Sequence, residues 1–279
     1  MRNRVVVFTI LVGALAGCGG AGANASAPGA VAPAPNRFRF GPSLTSYEGV
    51  SHRVVEQRRV DGRMQESGSV LLYHLTAEIS DADSTLMASF VIDTVLDATA
   101  QNILPKEIGS ATGARFHAPL SRTGALGSLA GGDATSILSG QLERQIEDFF
   151  PRVPADGLRA SANWVDTTET TRDQSGAEIA VRAVTQYRSA DWQPDAEGRQ
   201  VLTVLWDRTY ELHGAGDQFG QAFTIEGTGT ARGTALLSGG GIFLGSSRED
   251  ELRGQILLVS IGDTTQIRQT QADTIRVRQ

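Results

Sequence analysis

The sequence predicts a mainly β fold: an antiparallel curled sheet or half-barrel of about eleven strands with one amphipathic helix packed on it. Three observations predict it. Apolar and polar residues alternate with period two from about residue 51 to the end of the chain. Glycine- and aspartate-rich turn signals punctuate those runs at short intervals. Only one stretch, Leu138 to Phe149, repeats apolar residues at helical spacing.

Before the strands come two segments of different character. Met1 to Arg4 carries two arginines, and Val5 to Ala16 is mostly apolar but shorter than the ~20 residues a spanning helix needs. A basic start, a short apolar run and then small residues describe a secretory leader over 1–17. Leu15-Ala16-Gly17-Cys18 resembles the bacterial lipobox, an aliphatic residue and two small ones before a cysteine. That resemblance implies diacylglycerol on the Cys18 thiol and cleavage before it. Two or three acyl chains hold a protein far more firmly than one. Gly19, where an aspartate would favour inner-membrane retention, points to the outer membrane, with the domain facing the periplasm. Gly19 to Asn36 is almost entirely Gly, Ala, Pro, Ser and Asn. Such a composition cannot bury a core, so 18–36 reads as the acylated cysteine and a tether, spanning roughly 20–25 Å as a flexible chain. Residues 37–279 read as a single β-rich domain.

Arg53 to Val60 runs into Asp61-Gly62, a strong hairpin signal. Val70 to Ile79 and Leu86 to Leu96 follow, joined by the polar turn Asp81-Ala82-Asp83-Ser84; in the second, Leu86, Ala88, Phe90, Ile92, Thr94 and Leu96 share one face. Arg115 to Leu120 and Ala125 to Leu129 bracket a short turn at Arg122-Thr123-Gly124. The helix comes next, with Asp133 or Thr135 as its cap, Leu138, Leu142, Ile146 and Phe149 as its buried stripe, and Pro151 as its stop. Strands then resume at 161–170, 179–187, 201–212, 223–237, 241–247, 252–261 and 264–277, with turns at Asp195–Gly198 and Gly239–Gly241. No alternation of strands with helices supports a parallel sheet. A membrane-spanning barrel would show aromatic girdles, and the chain has three tryptophans and four tyrosines.

Composition excludes several function classes. The formal net charge is −6, and becomes −8 once a cleaved leader removes Arg2 and Arg4. An acidic body argues against nucleic acid as partner, since phosphate binding needs surplus Lys and Arg. Cys18 is the sole cysteine, so an internal disulfide and a thiolate metal cluster are excluded. His52, His74, His117 and His213 stand singly among strand residues, with no metal-binding pair among them. Neither a Gly-x-Ser-x-Gly elbow nor a Ser-x-x-Lys occurs, and Lys106 is the only lysine. Gly227 to Gly233 is glycine-rich, but its third glycine is misplaced for a dinucleotide fingerprint, so it reads as a strand with close neighbours. The expectation is a non-enzyme with neither cofactor nor metal.

Gly113 to Leu129, then Phe149-Phe150-Pro151-Arg152-Val153-Pro154, Ala162-Asn163-Trp164 and Glu226 to Thr230 carry a likeness. Together they resemble a family of uncharacterised bacterial lipoproteins, over most of residues 50–279. More distantly, a meander, one helix and a longer meander are similar to the periplasmic lipoprotein-carrier superfamily. That resemblance implies a half-barrel with an apolar cavity for acyl chains. Two roles stay open for a membrane-anchored envelope lipoprotein. It binds an apolar or lipid ligand, with Phe90, Ile92, Leu138, Leu142, Ile146 and Phe149 as the lining, or it has a filled core and acts through protein partners.

Overall fold

Alternation sustained over many residues makes strands far longer than the usual five or six. The computed structural model describes residues 37–59, 61–99, 105–133, 136–174, 177–218, 220–260 and 262–278. The leader, Cys18, the tether to residue 36 and Thr135 lie outside the described residues. Val31–Gln279 is one compact unit. Its elements are β1 (Ser43–Arg58), β2 (Met64–Ala82), β3 (Thr85–Thr99), α1 (Pro105–Ala111), β4 (Arg115–Leu120), β5 (Ala130–Gly131), α2 (Ile137–Glu147), β6 (Asn163–Gln174), β7 (Ala177–Ser189), β8 (Gln193–Pro194), β9 (Gln200–Gln218), β10 (Gln221–Ser238), β11 (Ile242–Leu258) and β12 (Asp263–Val277).

The strands pair antiparallel in one open sheet of twelve, ordered β5-β4-β3-β2-β1-β12-β11-β10-β9-β7-β6, with β8 on β9. The fold is mainly β and antiparallel, as the alternation predicts. Two meanders meet at the centre, where β1 pairs with β12 from Tyr47↔Val277 to Arg58↔Gln266. The connection carrying α2 joins β5 at one edge to β6 at the other. Gln145 of α2 approaches Ser51 and Asp273, and Phe149 packs on Tyr47, which identifies the helix-bearing face of the sheet. By register, that face presents the odd residues of β1, β2, β7 and β12, the even residues of β9 and, beyond the register shift that turns Phe243 inward, the even residues of β11.

Several details depart from the sequence reading, each for a physical reason. β1 begins at Ser43, eight residues before the visible alternation, because the buried face of the Tyr47–Ser51 stretch is Tyr47, Gly49 and Ser51, which shows no apolar period. Gly49 lies under the Tyr73 ring, where any Cβ would collide. On β3 the register slips against β2 at Leu72/Tyr73 and His74/Leu75. These bulges turn Val95 inward and leave Leu96, expected on the buried face, 53% exposed. Ala125 to Leu129 forms no strand; only the bridge Leu120↔Leu126 survives, after a turn with Gly124 at φ +86°. The runs 241–247 and 252–261 are one continuous strand, β11. A second helix, α1, adds one short element that the sequence reading lacks.

The predicted helix is present as α2, capped by Ser136 rather than Asp133. Ser136 is extended (φ −90°, ψ 126°) and its hydroxyl accepts from Ser139 N at 3.2 Å. Leu138, Leu142 and Ile146 form the buried stripe, and Phe149 follows just past the cap Asp148. The core lies between this stripe and the adjoining half of the sheet, with Phe38 and Phe40 sealing the end where the chain enters. Phe38 bridges to Leu158, and Gly41 N donates to Gly241 O across the β10–β11 turn.

Candidate functional site

The six residues proposed as a ligand lining sit together in the centre of the core. Phe90, Ile92, Leu138, Leu142 and Ile146 are 0% exposed, and Phe149 is 1% exposed. The Phe149 ring is surrounded by Phe150 at 5.0 Å, Tyr47 and Phe243 at 5.1 Å and Phe90 at 5.4 Å, all edge to face. That arrangement is side chain packed on side chain, as in a close-packed interior.

A polar belt crosses the sheet beyond this core, at the C-terminal end of α2. Arg248 donates to Asp148 at 3.1 Å and to Asp250 at 2.7 Å; Arg208 reaches Asp148 at 3.4 Å and Thr185 at 3.0 Å. Tyr210 donates to Asp250 at 2.7 Å. One carboxylate, Asp148, thus clamps the end of α2 to two strands. Burial opposes the Arg248 charge, but Asp148, Asp250 and Asp273 outweigh it and hold the guanidinium protonated. Burial keeps the Tyr210 phenol un-ionised well above its ordinary range, reinforced by Asp250. On β12 a chain of side-chain amides continues the belt: Gln269 Nε2 to Gln271 Oε1 at 3.5 Å, and Gln271 Nε2 to Asp273 at 2.9 and 3.0 Å.

At the far end of the strands, the opposite face forms a groove. Two adjoining hollows of about 820 and 510 Å³ share Glu211, Thr228 and Arg253. The groove runs across the strands from β7 to β1, and its side chains include threonines, glutamines and charges of both signs, with Val184 and Met64 among them. Arg253 and Arg268 converge on Glu251 at 2.8 and 3.1 Å, and Arg268 extends towards Glu56 at 3.9 Å. The two arginines, Arg253 foremost, hold the Glu251 carboxyl below the usual range. Solvent-exposed pairs of this kind add little stability. Glu211, His213 and Glu226 neighbour one another on β9 and β10, where His213 pairs with Glu226 in register.

The other residues singled out by sequence are dispersed. His52, His117 and His213 are exposed, and His74 lies 3.5 Å from Glu48. Among the described residues no three His, Cys, Asp or Glu side chains gather as metal ligands, and no histidine bonds a serine. Lys106 is exposed on α1. Asp81 pairs with Arg122 at 2.8 Å beside its turn. The glycines of 227–233 let neighbours lie flat: Tyr210 covers Gly229 and Trp206 covers Gly233. Sequence reasoning missed the belt altogether, although Gln269, Gln271 and Asp273 share strand parity with the buried Ile275.

The sequence matches no protein-family model and no curated protein. Among solved structures, Pseudomonas aeruginosa OccK2 (OpdF) in complex with glucuronate is similar at 7% identity, over 88% of this chain and 100% of that one, with a TM-score of 0.22. At that score it carries no argument about fold or function.

Proposed function

We propose that this protein is an envelope lipoprotein, anchored by acyl chains on Cys18 to the outer membrane and facing the periplasm, whose β domain acts through its surface on an envelope protein. The anchor rests on the lipobox-like Leu15-Ala16-Gly17-Cys18 and the basic, apolar leader before it. The observation that carries the mode of action is the burial of the core, where the six would-be lining residues belong to one fully buried cluster and the Phe149 ring packs on Phe90. A binder with a filled core works through its exterior, and the groove across β7 to β1 is a hollow of about 820 Å³ there. Its mixed charges and hydroxyls suit a polar protein surface better than an acyl chain. The chain enters at the other end of the sheet, beside Gly241. From Phe243 to Gly254, β11 carries the groove some 35 Å from that entry at about 3.3 Å per residue.

A second reading, carriage of an apolar ligand, keeps one observation in its favour. Beyond the belt, the helix-bearing face presents half-buried Val55, Val181, Ile225, Leu252 and Ile256.

Two experiments test the proposal. Metabolic palmitate labelling of the chain is lost in Cys18→Ser if the anchor is right, and persists or never appears if it is wrong. A photoreactive side chain placed at Thr228 in the groove yields a covalent protein adduct in cells, whereas one at exposed Glu78 does not. Absence of any adduct at Thr228, with a lipid co-purifying, contradicts the surface reading and favours the carrier.

A further inference from the structure

Arg53 stands out on the helix-bearing face. It projects from β1 at the centre of the sheet, opposite Ser69 of β2 and Gln271 of β12. Arg208 and Arg248, on the same face, each contact a carboxylate. Arg53 contacts none among the described residues. Its one side-chain hydrogen bond is Nη2 to Gln269 Oε1 at 2.5 Å, and its buried Nε has no partner. The nearest carboxylate along β12, Asp273, is separated from it by the amides of Gln269 and Gln271 and is served by Gln271 and by Gln145 of α2. A half-buried guanidinium with an orphan donor and no counter-charge is costly, and a forked donor matches the two oxygens of a carboxylate or phosphate. On this face its neighbours are Ser51 and Val55 on β1, Ser69 across on β2 and Gln271 across on β12, so that hydroxyls and an amide able to bind a polar ligand lie beside it.

We infer that Arg53 is the cationic contact of a binding site for an oxyanion, the carboxylate or phosphate of a polar ligand, on the helix-bearing face between β2 and β12. Arg53 itself is not among the groove-lining residues, most of which project from the other face. Burial lowers the affinity of Arg53 for its proton, and a bound oxyanion offsets that burial.

The test is thermal unfolding of the full acylated chain in neutral detergent, with inorganic phosphate or acetate replacing chloride at constant ionic strength. A ligand that binds only the folded state raises the melting temperature with its concentration. Wild type is expected to melt several degrees higher in the preferred anion; a response to phosphate alone assigns a phosphoryl ligand, and one to acetate alone a carboxylate. Arg53→Met is expected to lose that response and to melt in chloride at or above wild type, because it removes an uncompensated charge. Arg53→Lys retains a weakened response, and Arg58→Met, in the groove, retains all of it. Indifference of wild type to both anions overturns the inference. So does a response that survives in Arg53→Met, or an Arg53→Met protein that melts well below wild type in chloride, which would make Arg53 a structural residue.

Discussion

Replacing Phe149 by alanine probes the packed core most sharply. The ring is 1% exposed and meets four aromatic neighbours within 5.4 Å. Loss of its transfer free energy costs about 2 kcal/mol. If the surrounding rings hold their places, a residual cavity of roughly 80–100 Å³ adds about 2 kcal/mol at ~24 cal/mol per Å³. The sum, about 4 kcal/mol, agrees with the usual range for a buried phenylalanine and corresponds to a melting temperature lower by about 8–16 °C. Urea unfolding followed by circular dichroism measures it, with the midpoint shifted and the slope unchanged. The enlarged core should also acquire affinity for benzene-sized apolar molecules that wild type rejects. A cost below about 1 kcal/mol, with wild type already taking up such molecules, refutes the reasoning, because Phe149 would then border a pre-existing void.

Asp148→Asn removes the carboxylate shared by Arg208 and Arg248 while leaving Arg248 its bond to Asp250, so it should cost about 1–3 kcal/mol in urea unfolding and loosen α2 in amide exchange; no change in either contradicts the clamp. Tyr47, Tyr73, Tyr187 and Tyr210 are all four tyrosines of the chain, and burial raises every one of their phenols. The folded state binds these protons more tightly than the unfolded state, so their contribution is complete below about pH 10 and is lost as pH rises beyond it. Absorbance at 295 nm should therefore climb only together with loss of the folded circular dichroism signal; a separate ionisation step near pH 10 in the folded protein contradicts this burial.

Alternation made the central strands legible because one face of each is buried near α2. Asp61-Gly62 and Gly239–Gly241 announced their hairpins because only glycine enters such turns without strain, as the φ of +80° at Gly62 and +84° at Gly241 illustrates. Three things were not legible. The bulges of β3 invert the inward parity after Ile92, and such a slip depends on the partner strand. Arg248 and Asp250 resemble a solvated turn in sequence, yet they continue β11 because each neutralises the other on the inward face. Arg53, Gln269 and Gln271 look like solvent-facing residues until register places them beside Ile275 and Tyr47. The six candidate lining residues lie in one buried apolar cluster, and spacing alone does not distinguish residues that surround a void from residues that fill one.

The central claim, a filled core and a working surface outside it, is tested most directly by native mass spectrometry. The Cys18→Ser protein, which lacks the proposed acylation site, is purified gently and compared under native and denaturing conditions. The account predicts the same protein mass in both, and no uptake of added fatty acid or phospholipid. A stoichiometric lipid present in the native spectrum and lost on denaturation contradicts it, and would turn the helix-bearing face around Val181, Ile225 and Leu252 into the functional site.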